Sequence, residues 1–180
     1  LEIALPGQQA DSSLEALVTL AWHLRQRDSK RAVALAAQAQ ALLIQSNLTD
    51  ARIQRAAARL RLVLAEVRMM FGELDAAQSL SRSAIDMFGT LGDSVGLGDA
   101  YLISFSIERY CGNREQAGEF LGLAGEHYRI ASDVLRMEIC QAVRLTYAAF
   151  QDPVTTRMEL ESAFPPDEQR RSDLTAWVAA

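Results

Sequence analysis

Residues 72–100 read GELDAAQSLSRSAIDMFGTLGDSVGLGDA. Five residues after Gly72 come Ala77, Ser81 and Ala84, three small residues at i, i+4 and i+7, which places them on one helix face. Small side chains on a shared face let a second helix approach closely. At the far end Leu91-Gly92-Asp93 supplies a glycine, the residue best suited to a left-handed corner, and an acid suited to start the next helix. The stretch therefore reads as a helix, a tight corner, and the start of another helix.

The same pattern lies on either side. Ala32, Ala36 and Ala39 follow Arg27 in RDSKRA, and Ala117, Leu121 and Ala124 follow Gly112 in GNREQA, with Arg27 and Gly112 in the corner position of Gly72. The period is 77 − 32 = 45 residues and then 117 − 77 = 40. A lone hairpin cannot bury its faces, so units with this period must stack.

Between the small-residue helices, apolar residues recur at spacings of three and four, as in Leu60, Val63, Leu64, Val67 and Phe71. Strand-type alternation is absent, and the prolines are confined to Pro6, Pro153, Pro165 and Pro166. The fold class is all-α, an α-α superhelix of antiparallel hairpins. About nine helices are expected, at 11–26, 29–46, 50–71, 74–91, 94–111, 114–131, 133–151, 154–164 and 167–180. Residues 1–10 read as an extended or disordered lead. Four units follow at about 11–48, 49–92, 93–131 and 132–165 within a repeat domain over 11–166, and 167–180 opens a further or capping helix. Ser12 with Glu15 resembles a capping box, and Asp152-Pro153 and Pro166-Asp167-Glu168 place Pro and acid in first turns.

With Gly-acid corners five residues before a small Ala, and the Leu91-Gly92-Asp93 connection, the stretch from Leu14 to Gln151 resembles the tetratricopeptide repeat family in its longer form of about 40 residues. The large aromatic and glycine positions of that family's first helices are filled loosely here, by Leu60 and Leu64 or Ala100 and Ser104. The resemblance implies a right-handed solenoid that binds a protein or peptide partner. It also implies a regulatory role like that of the repeat regions in bacterial signalling proteins such as diguanylate cyclases.

Composition narrows the partners. The 180 residues are 49% hydrophobic and 23% charged with net charge −5, and the 18 Lys and Arg are scattered, so nucleic acid is not expected. No apolar run reaches the roughly 18 to 20 residues that cross a bilayer, and no signal-type start is present, which gives a cytoplasmic expectation with no membrane partner. Cys111 and Cys140 are isolated among apolar residues and read as buried free thiols. The chain starts without Met and stops within a helical pattern, as a piece of a longer protein with an effector beyond it would.

Chemistry is sparse. His23 and His127 have no metal-ligand spacing around them, so no metal is expected. Gly89, Gly92, Gly96 and Gly98 lack the strand and Lys-Ser/Thr of a phosphate loop and read as a hairpin connection. Met69-Met70-Phe71 reads as core filling, with an adaptable apolar pocket as the alternative. No catalytic constellation and no cofactor motif is visible, so the chain is read as a non-enzyme.

If Leu60, Val63, Leu64 and Val67 are core, their equivalents are Ala100, Ile103, Ser104 and Ile107, then Cys140, Val143, Arg144 and Tyr147, where Arg144 is a blemish. One step round the first helices lies the expected groove: His23, Arg61, Arg68, Tyr101, Phe105, Glu108, Glu138 and Gln141. This mixture of directional and apolar groups suits a peptide or partner helix, with Arg61 and Arg68 placed to hold a carboxylate. Internal ion pairing on a solvated face is the competing reading. Two further functions stay open: a self-association scaffold forming a homodimer, and a sensor holding a small molecule near Met69, Tyr101 and Phe105.

Overall fold

The computed structural model describes residues 6–45 and 50–149, together with 154 and 156–159. Among the described residues there is no strand, and seven long helices follow in order: α1 (Pro6–Leu24), α2 (Ser29–Gln45), α3 (Ala51–Met70), α4 (Leu74–Thr90), α5 (Ser94–Cys111), α6 (Arg114–Ile130) and α7 (Val134–Ala149). The all-α expectation holds, with boundaries within a few residues of those read from the sequence for α2 to α7. Residues 154 and 156–159 are helical, as expected; the helix over 167–180 lies outside the described residues.

The corners repeat more regularly than the helices they join. Among the described residues, Gly72, Gly92, Gly112 and Ser132 are those with positive φ, each twenty residues after the last. In each case the next residue's N–H reaches back to the carbonyl five residues earlier: Glu73 to Arg68 (2.9 Å), Asp93 to Phe88 (3.0 Å), Asn113 to Glu108 (2.9 Å) and Asp133 to Tyr128 (3.0 Å). A left-handed residue with this bond satisfies the last carbonyls of a helix and turns the chain sharply. Asp93 and Asp133 then cap the following helix by accepting from the N–H of Gly96 and Arg136. Arg27 sits in the first corner without a left-handed residue; there the N–H groups of Arg27 and Asp28 both bond Leu24 O.

Ser132 alone among these four carries a side chain at positive φ (56°). Ser132→Gly should stabilise the fold by about 0.5–1 kcal/mol, since an L-residue in this region costs about 1–2 kcal/mol and glycine's looser unfolded state offsets part of the gain. A higher urea midpoint with unchanged slope is the expected observation.

The small-residue stripes do what their spacing implies. Ala32, Ala36 and Ala39 are buried, as are Ala77, Ser81 and Ala84, and Ala117, Leu121 and Ala124. Hairpins α1–α2, α3–α4 and α5–α6 pack through them, and α1, α3 and α5 lie side by side. The first-helix stripe is also core: Leu60, Val63, Val67, Ala100, Ile103, Ser104, Ile107 and Cys140 are buried. Arg144, the blemish in that register, is exposed and faces Glu159 at 3.7 Å.

The longer first period is absorbed by a longer α3 and wider connections before and after it. One expectation fails at the N-terminus. The helix starts at Pro6 rather than near 11, so residues 6–10 are helical and position 12 lies inside the helix rather than at its start. Proline's fixed φ suits the first position of a helix, and nothing after it breaks the run. Glu15, read as the capping-box acid, instead takes a forked pair of hydrogen bonds from Arg52 Nε (3.0 Å) and Nη2 (2.9 Å) on α3.

Candidate functional site

The face predicted one step round from the core stripe does not form one groove. Phe105 is 1% exposed and Glu108 5%, so both belong to the interior. The reason is geometric: α5 packs against its own partner α6 and against both helices of the preceding hairpin, α3 and α4, so its buried arc exceeds one stripe. Ala56, Ala57 and Ala58, three consecutive residues of α3, are all buried.

The other members are mostly engaged locally. Arg61 Nη1 donates to the Ala57 carbonyl of its own helix (3.1 Å), and Arg68 pairs with Glu73 at its own corner (2.6 Å). Arg68 is thus paired at its own corner, and Arg61 leans back on its own helix without an ion pair among the described residues. Tyr101 stacks between Phe120 and His127, at 5.9 and 5.4 Å. His23 is exposed near the end of α1. Only Glu138 and Gln141 come together, on α7. The alternative ligand pocket is also dispersed, with Met69 in the core cluster of α3–α5 and Phe105 and Tyr101 in that of α5–α7.

Glu138 and Gln141 face a groove of about 790 Å³ between α6 and α7. Gly118, Leu121, Gly122 and Gly125 line it from α6, and Val134, Met137, Cys140 and Tyr147 from α7. A Cβ built on Gly118 or Gly122 would meet nothing within 4 Å, and one on Gly125 would stand 3.6 Å from Cys140 Sγ. The groove therefore has an open glycine wall, an apolar base and a charged rim of Glu126, Arg129, Glu138 and Arg144.

Its existence follows from one exchange in the repeat. Between α4 and α5 the Phe88 ring lies directly on Gly96, where a Cβ would come within 2.2 Å of the ring. Forty residues on, the ring is Tyr128 and the glycine has become Arg136. The Tyr128 ring lies instead on Gly98 of α5, where a Cβ would come within 2.4 Å of it, and α7 packs less closely on α6 than α5 does on α4. Nor does α7 run against α5 as α5 runs against α3. Large side chains bridge that gap instead: Phe105 meets Tyr147 edge-on at 5.6 Å, with Arg109 over both rings.

Arg136 reaches past Tyr128 into a buried ionic hub that sequence reading missed. Asp99, 7% exposed at its side chain, accepts from Arg59, from Arg136 Nε (3.1 Å) and from the Tyr128 hydroxyl (2.8 Å). Arg59 also lies over Trp22, against which Arg25 stacks at 3.6 Å before bonding Glu66. A chain of charges and rings thus ties all four first helices together. The signal was present as opposite charges one period apart: Arg25 and Glu66, Arg59 and Asp99, Arg55 and Asp93.

Burial pushes the Cys140 thiol up to about 11, and its Sγ–H points to the Leu121 carbonyl at 3.5 Å, so it stays a thiol at neutral pH. Burial and then Asp99 drive the Tyr128 hydroxyl far above the ordinary phenol range, which keeps it a donor to Asp99. Among the described residues no three His, Cys, Asp or Glu side chains gather as a metal site would require, and no helix is long and apolar enough to cross a membrane. No protein-family model matches the chain, and neither a curated protein nor a solved structure is significantly similar to it.

Proposed function

We propose that this chain is a non-catalytic, tetratricopeptide-like interaction module that receives a partner's amphipathic helix in the α6–α7 groove. The observation that carries this reading is the groove itself, formed where Arg136 replaces the helix-closing glycine and walled by Gly118, Gly122 and Gly125 at i, i+4, i+7. Glycines at that spacing let a third helix lie close, Met137, Tyr147 and Val134 supply apolar area, and the rim supplies directional polar contacts. The role is regulatory: a partner reports its presence by occupying the groove. The Arg61 and Arg68 face is not part of it.

Gly122→Leu tests the reading directly. The position has room for a side chain, so folding should persist while capture of the partner by the immobilised domain from native lysate is lost at least tenfold. Reversing Arg61 and Arg68 to Glu should leave capture intact. The opposite pattern, loss with the reversed arginines and none with Gly122→Leu, would return the groove to the first-helix face.

A second reading is favoured by the apolar residues exposed at this end of the stack, Leu135 at 62%, Val154 at 73% and Met158 at 70%. Two copies would cover such a surface by self-association. A sedimentation profile that stays monomeric at high micromolar concentration rules this out.

A further inference from the structure

A second cavity lies apart from the groove, among α4, α5 and α6. It holds about 170 Å³ and is lined by Gln78, Ser81 and Arg82 of α4, Ser104, Ile107 and Glu108 of α5, and Gln116 and Phe120 of α6. Its walls are polar in a way the packing of helices does not require.

The Glu108 carboxylate is the unusual element. Gln78 Nε2 donates to its Oε1 (2.8 Å) and Asn113 Nδ2 to its Oε2 (2.6 Å). Both partners are neutral amides, which leave lone pairs on each oxygen and supply no positive charge. Among the described residues no Arg, Lys or His nitrogen comes within ion-pair distance of it. The buried carboxylates Glu66 and Asp99 each have an arginine, and Arg109, beside Glu108 in the sequence, is turned to Phe105 and Tyr147. A buried anion without a counter-ion is an expensive arrangement to keep. Its field is felt nearby: burial, and then the charges of Glu108 and Asp75, raise the Cys111 thiol.

Two more groups complete the site. Ser81 and Ser104 share a buried hydroxyl–hydroxyl bond of 2.5 Å on the facing walls, with Ser104 also donating to Ala100 O. Arg82 is exposed and forms no ion pair with a described residue.

We propose that this cavity binds a primary ammonium group, seated on Glu108 beside the Ser81–Ser104 hydroxyls, with Arg82 and Gln116 selecting what the ammonium carries. An N–H₃⁺ group provides the missing charge and three donors for the free lone pairs of Glu108 and a serine oxygen. The volume admits a short alkylamine or a small α-amino acid, and in the second case Arg82 faces the ligand's carboxylate. The site is separate from the α6–α7 groove, so neither proposal depends on the other.

Thermal unfolding and calorimetric titration of the whole chain provide the test, with methylammonium, ethylammonium, glycine, alanine and serine as probes and acetate and tetramethylammonium as controls. A primary ammonium probe at about a hundredfold over its Kd should raise Tm by about 5–10 °C, and the controls should not. Glu108→Gln should fold and lose at least a hundredfold in affinity for the responding probe. Gln116→Trp, which blocks the mouth and keeps the carboxylate, should abolish the response even if Glu108→Gln fails to fold. Arg82→Gln separates the sources: weaker amino-acid binding with unchanged methylammonium binding identifies an amino acid, and equal responses identify a simple amine. Silence of the wild-type chain towards every ammonium probe, or binding that survives both Glu108→Gln and Gln116→Trp, overturns the proposal.

Discussion

Asp99→Ala is expected to destabilise the fold by about 3–5 kcal/mol, the range for breaking a buried ion pair from one side. The carboxylate is the single acceptor shared by Arg59, Arg136 and the Tyr128 hydroxyl, from three different helices. Its removal takes the direct ion-pair partner from the Arg59 guanidinium, 20% exposed, which keeps the rings of Trp22 and Phe88 and the nearby charge of Asp93, and it strands a buried phenol donor. For a chain of this size the loss corresponds to a Tm about 6–20 °C lower. Asp99→Asn should fall between, since it keeps an acceptor for Tyr128 and loses the charge. Replacing the pair together, Arg59→Met with Asp99→Leu, should recover much of the loss, because no charge is then left unpaired. A melting shift of under 2 °C for Asp99→Ala would show the hub to be incidental. Since Arg136 is held by the same carboxylate, the variant should also loosen α7 and weaken partner capture.

Gly96→Ala should destabilise by about 1–3 kcal/mol, the reverse of the usual effect. In a helix interior this exchange ordinarily stabilises by roughly 1 kcal/mol. Here the new Cβ would fall 2.2 Å from Phe88 Cδ1 and 2.4 Å from Cε1, so the ring must leave its place or α4 and α5 must part. Phe88 is fully buried, and a close-packed interior gives it nowhere to go. Combining Gly96→Ala with Phe88→Leu should restore part of the stability, which a general loss of helix quality would not permit. Gly122→Ala, on the open wall of α6, is the control: it should be neutral or stabilising by up to about 1 kcal/mol. Urea unfolding of the three variants decides the matter, and a stabilising Gly96→Ala would contradict the packing account of the repeat.

The helices were legible because their evidence is local. Spacings of three and four, small stripes at i, i+4, i+7 and glycine corners all act within a turn or two of chain, and they located α2 to α7 to within a few residues. The proposed groove was less legible. Glu138 and Gln141 line the α6–α7 groove, but Phe105 and Glu108, at a similar helical angle in the preceding unit, are interior. The difference is the neighbour: α5 has a following hairpin helix against it at close range, while α7 stands off from α6. No property of Phe105 or Gln141 taken alone announces how many helices surround it.

By itself, the sequence of this protein determined the all-α class, the hairpin period and which helix faces approach closely, because backbone geometry and side-chain size are written into each short segment. The tertiary structure alone decided where the stack opens. That opening depends on Gly96, which receives the Phe88 ring of α4, and on Arg136, which stands forty residues on and reaches Asp99 while the Tyr128 ring lies on Gly98 of α5. The same holds for the burial of Glu108 without a cation and the convergence of Arg59, Arg136 and Tyr128 on Asp99. Such pairings exist only once separate helices share a volume, so their energies belong to the packed stack and not to any stretch of chain.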